Sequence, residues 1–385
     1  MKNLFSRFST PQKWATVLTV LALVAAFIMA RTAASGAPPG GHTDAAQDAG
    51  KPSESARETH PSRGTVVGSR GQPVESIAVG GAPTAAQPPA DEGLFLGPMG
   101  TTPESFGFES RGEGVLRGPS SLEMGPNGFT VLDSVRGELR RFAADGRPAG
   151  TIALPPSARH VVEAVGLRDG KTLLFERSES GHGMLIVDAT GTITSRIPIP
   201  ASVANDDADV SRLIVRGGTI YAETNGTGPL HAVATEAGEA LPGTKTIDGV
   251  PTHDDHFLLS AGITNEDEGR AWINVSSRAT GAHRWTKELR FADEATAVGF
   301  LDDDGHGHGW LVVLVGGKPG SFVDAAVCFD VLSGAILASH AVPVDDPPWQ
   351  SFRDYSVGPG GELHALRRST KGARVLSFAC GAPGR

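Results

Sequence analysis

The chain has 385 residues, a formal net charge of −9, 50 glycines, 27 prolines and two cysteines. Frequent Gly and Pro beside a hydrophobic fraction of 39% favour short strands joined by turns. Residues 91–385 carry 26 basic and 38 acidic side chains, and this net charge of −12 excludes nucleic acid as a partner because it would repel phosphates. Cys328 and Cys380 are too few for a zinc finger or a disulfide framework, and their spacing leaves open whether they pair.

The first 30 residues have the pattern of a signal anchor. Three basic residues precede the 17 uncharged residues Trp14–Ala30. As a helix this run would be about 25 Å long, just short of a hydrocarbon core of roughly 30 Å. The positive flank predicts a single-pass protein of the cytoplasmic membrane, with everything after Arg31 outside the cytoplasm. Cleavage near residues 33–37 is the alternative and would give a periplasmic or secreted protein.

Residues 31–90 are rich in small and polar residues and Pro, and their five basic and five acidic side chains cancel. Without hydrophobic periodicity, this segment cannot bury enough apolar surface to offset the entropy lost on ordering. The sequence therefore predicts three parts: a signal anchor or signal peptide (1–30), a disordered linker (31–90) and a folded domain (91–385).

After residue 90 the sequence repeats a unit of four short strands separated by turns. The clearest copy, Pro119–Leu154, has turns at Pro126–Gly128, Arg136–Gly137 and Asp145–Gly146, and Val161–Ile199 repeats the same order. Weaker copies begin near Val210, Val250, Ala295 and Ser351. The starts lie about 40 to 56 residues apart, which is the spacing of four-stranded β-propeller blades. We predict an all-β domain folded as a six-bladed β-propeller, with seven blades as the alternative.

The last repeat has only three strands before the chain ends, within Ser351–Cys380. A fourth strand must come from elsewhere in the sequence. We predict that Phe106–Leu116 supplies it, because pairing the two ends closes the circle and removes an exposed sheet edge.

The stretch Phe106–Gly150 resembles an NHL-type propeller repeat. The matching positions are Phe106, Gly107, Gly112, Gly114, Pro119, Gly128, Val131, Leu132, Asp133, Phe142 and Gly146. The stretch departs from the family at Arg136 and Glu138, where an Asn and an Arg usually follow the Asp. Further on, Ser276–Leu289 and Cys328–Val342 are similar to the Thr-Gly-x-x-x-Trp ends of quinoprotein-type propeller repeats. These resemblances imply propeller blades.

One cluster has the residue types of a metal site. In "FLDDDGHGHGW" (Phe300–Trp310), Asp302 and Asp304 offer carboxylates to calcium, and His306 and His308 offer imidazoles to zinc. The stretch resembles the calcium loop of integrin-like FG-GAP repeats, although Phe300 and His308 replace two ligands of that pattern. The alternative interpretation is a solvated hairpin tip, because turns favour Asp and Gly.

A second cluster, "THDDHF" (Thr252–Phe257), is predicted in the equivalent hairpin one blade earlier, where the two clusters could share a cation. The innermost strands predicted within 161–167, 210–215 and 295–301 are mostly aliphatic, so no convergent catalytic set is expected. A nucleophile elbow, P-loop and HExxH motif are also missing. The sequence therefore favours a non-catalytic scaffold that binds a protein partner, and the alternative is a metal-dependent propeller hydrolase or lyase.

Overall fold

The computed structural model describes residues 75–79, 93–110, 116–178, 181–204, 209–224, 226, 228–316, 322–345 and 348–381. All of them belong to one compact unit, residues 65–385. The predicted signal anchor and most of the predicted linker lie outside the described residues. Within those ranges, no helix has the length and apolar character that crossing a membrane requires.

The described chain is almost entirely β-structure, which confirms the predicted all-β class; its single helical element is a 3-10 turn at Pro156–Ala158. In chain order the strands are β1 (Glu75–Ala78), β2 (Leu94–Gly97), β3 (Glu109–Ser110), β4 (Leu116–Arg117), β5 (Pro119–Gly125), β6 (Gly128–Asp133), β7 (Glu138–Ala143), β8 (Pro148–Ala153), β9 (Val161–Gly166), β10 (Thr172–Ser178), β11 (Gly181–Val187), β12 (Ile193–Pro198), β13 (Val210–Arg216), β14 (Thr219–Thr224), β15 (Leu230–Thr235), β16 (Thr246–Ile247), β17 (Val250–Pro251), β18 (Phe257–Asn265), β19 (Arg270–Ser277), β20 (His283–Arg290), β21 (Ala295–Asp303), β22 (His308–Val315), β23 (Val323–Asp330), β24 (Ile336–Pro343), β25 (Trp349–Gln350), β26 (Tyr355–Val357), β27 (Leu363–Ser369) and β28 (Gly372–Phe378).

Most of these strands form antiparallel meanders of four. Sheets 1 to 5 are β5–β8, β9–β12, β13–β16, β17–β20 and β21–β24, in which each strand pairs with its chain neighbours. Sheet 6 has the order β26-β27-β28-β2, so its outer strand comes from the other end of the folded unit. The strand starts near Pro119, Val161, Val210, Val250 and Ala295 agree with the repeats in the sequence.

Both faces of a sheet are covered by its neighbours, which explains why the middle strands are continuously apolar. In β22, Trp310 and Val312 pack in the cluster shared with sheet 6, whereas Leu311 and Val313 pack in the cluster shared with sheets 3 and 4. Because successive side chains of a strand point to opposite faces, a strand between two neighbours needs apolar residues at every position.

The sheets pack in a cycle. Separate apolar clusters join sheet 1 to sheet 2, sheet 2 to sheet 3, sheets 3 and 4 to sheet 5, and sheet 5 to sheet 6. A further cluster joins sheet 6 to sheet 1: Leu366 and Val375 pack with Leu122 and Val131. The first and last sheets are therefore neighbours.

The prediction that Phe106–Leu116 supplies the outer strand of the last sheet is wrong, because Leu94–Gly97 occupies that position and pairs with β28. Phe106 is instead fully buried between sheets 6 and 1. Arg140 holds the backbone that precedes Phe106, because it donates to the carbonyls of Glu104 (3.1 Å) and Ser105 (2.6 Å). Because the loop around Glu104 and Ser105 is anchored in this way, the strand that pairs with β28 is the preceding segment, Leu94–Gly97. Strands β3 and β4 form a separate small sheet with β25.

Part of the segment predicted to be a disordered linker is a strand. Strand β1 pairs in parallel with β20, with Glu75 opposite Lys287 and Ala78 opposite Arg290. The next residue, Val79, is buried in the cluster of sheets 3, 4 and 5. Backbone pairing and one buried valine thus order a short piece of a segment whose composition predicts no structure.

Cys328 of β23 and Cys380, which follows β28, form a disulfide with their Cα atoms 5.5 Å apart. The bond ties the end of the described chain to sheet 5 across a sequence separation of 52 residues. It answers the question of pairing that the sequence left open.

Candidate binding cavity

A polar cavity of 240 Å³ lies where the six sheets meet. Its lining comes from every sheet or from the loop beside its innermost strand: Glu123, Met124, Val165, Gly166, Arg168, Arg212, Ile214, Val215, Arg216, Gly217, Glu236, His253, Asp302, Arg353, Ser356 and Val357. Most of these residues lie at or just beyond the C-terminal ends of the innermost strands β5, β9, β13 and β21. The cavity therefore lies at the end of the domain that carries the hairpin after Asp302.

Arg353, which precedes β26, is the central cation of the cavity. Its Nε donates to Glu163 Oε1 at 2.8 Å, and its Nη2 donates to the backbone carbonyl of Leu213. Glu163 is fully buried, and its other carboxylate oxygen accepts from the backbone N–H of Leu213 at 2.8 Å. Burial raises the pKa of Glu163 in spite of the lowering effect of Arg353. The ion pair links sheets 2 and 6, and its hydrogen bonds to the backbone of Leu213 link both residues to sheet 3.

Glu123 is the acidic group of sheet 1 in the cavity. Its Oε1 accepts from the N–H of Gly166 at 3.3 Å, and its Oε2 lies 3.6 Å from Arg353 Nη1. That Oε2 atom is shielded from solvent and accepts no hydrogen bond within the described residues. Burial is the main cause that raises the pKa of this carboxyl, against the lowering effect of Arg353. Within the described residues, the charge of Arg353 is therefore the partner of Glu123 Oε2.

Two further ion pairs involve arginines of β13 that line the cavity. Arg216 of β13 hydrogen bonds Asp302 of β21 and the carbonyl of Pro251. Arg212 donates from Nε to Glu223 at 2.9 Å and from Nη2 to the carbonyl of Leu301 at 3.2 Å. Burial alone would raise the pKa of Asp302, but Arg216 and its other positive neighbours outweigh it, so the pKa is lowered. Asp302 is therefore held as a carboxylate.

His253, in the loop between β17 and β18, is attached to β21 by Asp303. The backbone N–H of His253 donates to Asp303 Oδ1 at 3.0 Å, and its Nδ1 lies 2.9 Å from the same oxygen. Burial alone would lower the pKa of His253, but the bond to Asp303 outweighs it and raises the pKa. Asp303 also accepts from the N–H of Gly305 at 3.0 Å, so one buried carboxylate orders both hairpins.

The four residues that the sequence predicts as metal ligands do not come together as one set. Asp304 accepts from the backbone N–H groups of His306 (2.7 Å) and His308 (3.0 Å), and its other oxygen lies 2.8 Å from His308 Nδ1. His306 is exposed at the hairpin tip. Asp302 faces the cavity instead, beside Arg216. The contacts of Asp304 are those of a carboxylate that shapes its own turn.

Among the described residues, one group of side chains has the spacing of a metal site: His253, Asp302 and Asp303, with ligand atoms within 4.8 Å of one another. It combines one residue from each of the two predicted clusters with Asp303, which the sequence interpretation did not select. The donor set fits a cation poorly, because Arg216 pairs with Asp302 and Asp303 already accepts from His253 and Gly305. A cation here would have to displace a guanidinium.

The sequence interpretation missed the convergence of charge on the cavity. It expected aliphatic inner strands. Instead, the fully buried Glu163 interrupts "VVEAVG", and Arg212 and Arg216, which line the cavity, interrupt "VSRLIVR". Isolated charges within otherwise apolar strands were the available signal. A charge is stable at such a position only if a partner neutralises it, and the partner of Glu163 lies 190 residues away at Arg353.

No protein-family model and no curated protein sequence matches this chain. Virginiamycin B lyase from Staphylococcus aureus is 14% identical, with a TM-score of 0.37 over 71% of this chain and 88% of that chain. The calcium-binding protein regucalcin from Agrobacterium tumefaciens is 17% identical, with a TM-score of 0.38 over 69% and 91%. The soluble aldose sugar dehydrogenase of Escherichia coli is 14% identical, with a TM-score of 0.40 over 71% and 99%. Similarities this low carry no argument about the activity of this chain.

Proposed function

We propose that the folded domain is a six-bladed β-propeller that binds a protein partner at its charged central cavity. The observation that carries this proposal is the cavity itself, whose lining comes from five of the sheets and from the loop after β17 of sheet 4. In a propeller the innermost strands surround a central channel, and here those strands carry the charges. The cyclic packing of the sheets, with sheet 6 against sheet 1, supports the count of six blades.

The contacts within the cavity favour binding over catalysis there. Arg353 pairs with Glu163, Arg216 with Asp302, and Arg212 with Glu223. A general acid or base has to exchange protons with a substrate, whereas these groups are committed to one another. Such a network gives a rigid, electrostatically patterned surface, which is suited to recognition.

We further propose that the domain lies outside the cytoplasm, tethered by a membrane helix at Trp14–Ala30 and the linker that follows. The disulfide between Cys328 and Cys380 supports this location, because such bonds persist in oxidising compartments. A cleaved signal peptide would give the same compartment without the tether. The NHL-like character of the first repeat is part of this proposal and rests on the sequence positions given above.

The alternative function is metal-dependent hydrolysis or elimination at the cavity. The grouping of His253, Asp302 and Asp303 is the observation in its favour. The competing ion pair of Asp302 with Arg216 counts against it. Binding of calcium or zinc with a rise in thermal stability would move this alternative ahead of the scaffold.

Site-specific photocrosslinking in native membranes tests the binding proposal. A photoreactive amino acid replaces Arg168, which is exposed at the cavity rim, and in a second protein it replaces Lys371. Lys371 is an exposed residue of the β27–β28 hairpin, at the opposite end of the domain. We expect a discrete crosslinked product from position 168 and none from position 371. Equal products from both positions, or none from position 168, would refute binding at the cavity.

A further inference from the structure

Outside the cavity, three polar side chains of sheet 6 form a chain of contacts. Ser377 of β28 lies directly opposite His364 of β27, and its Oγ is 2.8 Å from His364 Nδ1. On the other side of the ring, His364 Nε2 is 3.3 Å from Oε1 of Glu362, which directly precedes β27. The order is hydroxyl, imidazole, carboxylate, which is the arrangement of a nucleophile, its base and the group that orients the base.

The burial of the three residues suits these roles. Ser377 is exposed, so its hydroxyl can meet a substrate from solvent. His364 is only 8% exposed, and burial lowers its pKa from the ordinary value of 6.5 in spite of the opposing effect of Glu362. A base must be unprotonated to accept a proton. The imidazole of His364 is therefore neutral at physiological pH.

The carboxylate of Glu362 selects the tautomer of His364. Nε2 is shielded from solvent and forms no well-aligned hydrogen bond within the described residues, and the carboxylate at 3.3 Å faces it. A proton on Nε2 is therefore stabilised, which leaves the lone pair on Nδ1 for the hydroxyl of Ser377. Such contacts are often long in a free enzyme and shorten in the complex with substrate.

Gly358 makes room for the pair of His364 and Glu362. A Cβ atom at this position would lie 2.7 Å from His364 Nε2 and 3.1 Å from Glu362 Cδ. Any other residue at 358 would therefore push the imidazole or the carboxylate out of place. This close approach links the β26–β27 turn to the three side chains.

The backbone N–H of Ser377 points away from β27. Strands β27 and β28 are joined by a two-residue turn, so Ser369 and Gly372 form a backbone hydrogen-bonded pair. Hydrogen-bonded and non-hydrogen-bonded pairs alternate along an antiparallel ladder, so His364 and Ser377 form a non-hydrogen-bonded pair. The N–H of Ser377 therefore points to the outer edge of β28. In the described part of the chain, β2 pairs with that edge only at Ala373–Val375.

We propose that Ser377, His364 and Glu362 form a hydrolytic site for small acyl esters, separate from the cavity. His364 Nδ1 takes the proton of Ser377 as Oγ attacks the carbonyl carbon, and the carbonyl electron pair moves to the oxygen. When the tetrahedral intermediate collapses, the bond to the alcohol breaks and the alcohol leaves with the proton from Nδ1. Water then repeats the sequence on the acyl-enzyme, releases the acid and restores Ser377. His364 and Ser377 are the catalytic residues, and Glu362 is a positioning residue.

The exposure of Ser377 indicates the class of substrate. The central cavity does not include Ser377. An exposed nucleophile outside the cavity has little apolar surface with which to hold a long acyl chain. We therefore expect turnover of short-chain esters such as p-nitrophenyl acetate, and stoichiometric reaction with a fluorophosphonate, which traps activated serines.

The test uses the purified full-length chain, labelled with a fluorophosphonate and digested for mass spectrometry. We expect one adduct, on Ser377, which is lost in Ser377→Ala and after denaturation. Ser369→Ala is the matched control: this serine lies in the same hairpin and bonds the carbonyl of Gly372 and the N–H of Lys371. The control variant should label like the wild type. Absence of an adduct on Ser377, or labelling unchanged in Ser377→Ala, would overturn the proposal.

The role of Glu362 has its own readout. The labelling rate should rise with pH through the pKa of His364, below 6.5, and reach its plateau by neutral pH. Glu362→Gln removes the charge that raises this pKa but keeps an acceptor, so we expect the midpoint to move to lower pH with partial activity. Glu362→Ala should lose about 100-fold or more in rate, because His364 then lacks the group that fixes its tautomer. Identical pH profiles for the wild type and Glu362→Gln would show that the carboxylate does not act on His364.

Discussion

Replacing Arg353 with methionine removes the cation that neutralises Glu163 at the centre of the domain. The guanidinium is 10% exposed and the carboxylate is fully buried, so water cannot take over the charge that Arg353 compensates. Breaking a buried pair from one side costs about 3–5 kcal/mol in the free energy of unfolding. For a domain of this size that corresponds to a fall of about 5–8 °C in the melting temperature.

The loss should depend on pH in a defined direction. Burial already holds the pKa of Glu163 above its ordinary value of 4.5, and removal of Arg353 raises that pKa further because Arg353 lowers it. A carboxyl whose pKa is higher in the folded state stabilises the fold below the unfolded pKa, and that contribution is lost as the pH rises through the folded value. The difference between wild type and Arg353→Met should therefore be larger at pH 8 than at pH 5.

Chemical denaturation of Arg353→Met at these two pH values measures this effect. Adding Glu163→Gln to the variant should recover most of the loss, because a neutral amide can still accept from the N–H of Leu213. Arg147→Met is the control: Arg147 is 80% exposed and pairs only at the surface, so we expect a change within about 0.5 kcal/mol. Equal losses at pH 5 and pH 8, or no recovery in the double variant, would refute the reasoning.

Three further predictions follow from other parts of the structure. Leu96→Ala should cost about 2–3 kcal/mol in thermal or chemical unfolding, because Leu96 packs between sheets 6 and 1; a neutral effect would remove β2 as the closing strand. Cys380→Ser should cost about 4 kcal/mol by the loop-entropy relation for 52 residues, and an unchanged melting curve would contradict a disulfide in the native protein. Calcium or zinc should leave the melting temperature unchanged. A cation that binds the native state would add about 2.7 kcal/mol to the free energy of unfolding at one hundred times its Kd. A rise in melting temperature that Asp302→Asn abolishes would establish the metal site.

The strand pattern could be predicted because it is local. Turn residues and apolar runs located β5–β8 correctly, and the repeated order of strands gave the starts of later sheets. The partner of the last sheet could not be predicted in the same way. The sequence pattern favours Phe106–Leu116, whereas the structure uses Leu94–Gly97. This outcome depends on Arg140 binding the backbone around Glu104 and on the burial of Phe106. These are contacts between segments, which no local pattern encodes.

The candidate sites show the same division. Adjacent Asp, Gly and His residues in the hairpin after Asp302 predict a metal site. In the structure, Asp304 and Asp303 mainly accept hydrogen bonds that shape their own and the neighbouring hairpin. The ion pairs of the cavity join residues far apart in the chain, such as Arg353 and Glu163. Ser377 and His364 are 13 residues apart, and only the register of β27 and β28 reveals that they are opposite each other.

Closure of the six sheets into one circle is the claim on which the cavity depends, and a short crosslinker tests it most directly. Met124 of sheet 1 and Ser356 of sheet 6 are 232 residues apart in sequence, but the N–H of Met124 donates to Ser356 Oγ at 3.0 Å. The native cysteines are disulfide-bonded, so cysteines introduced at 124 and 356 are the reactive thiols expected for a short bismaleimide. The closed arrangement predicts efficient intramolecular crosslinking of this pair. It predicts no crosslinking between cysteines introduced at 124 and 268, because Glu268 lies in the β18–β19 hairpin of sheet 4. Failure of the 124–356 pair to crosslink, or equal yields from the two pairs, would contradict it.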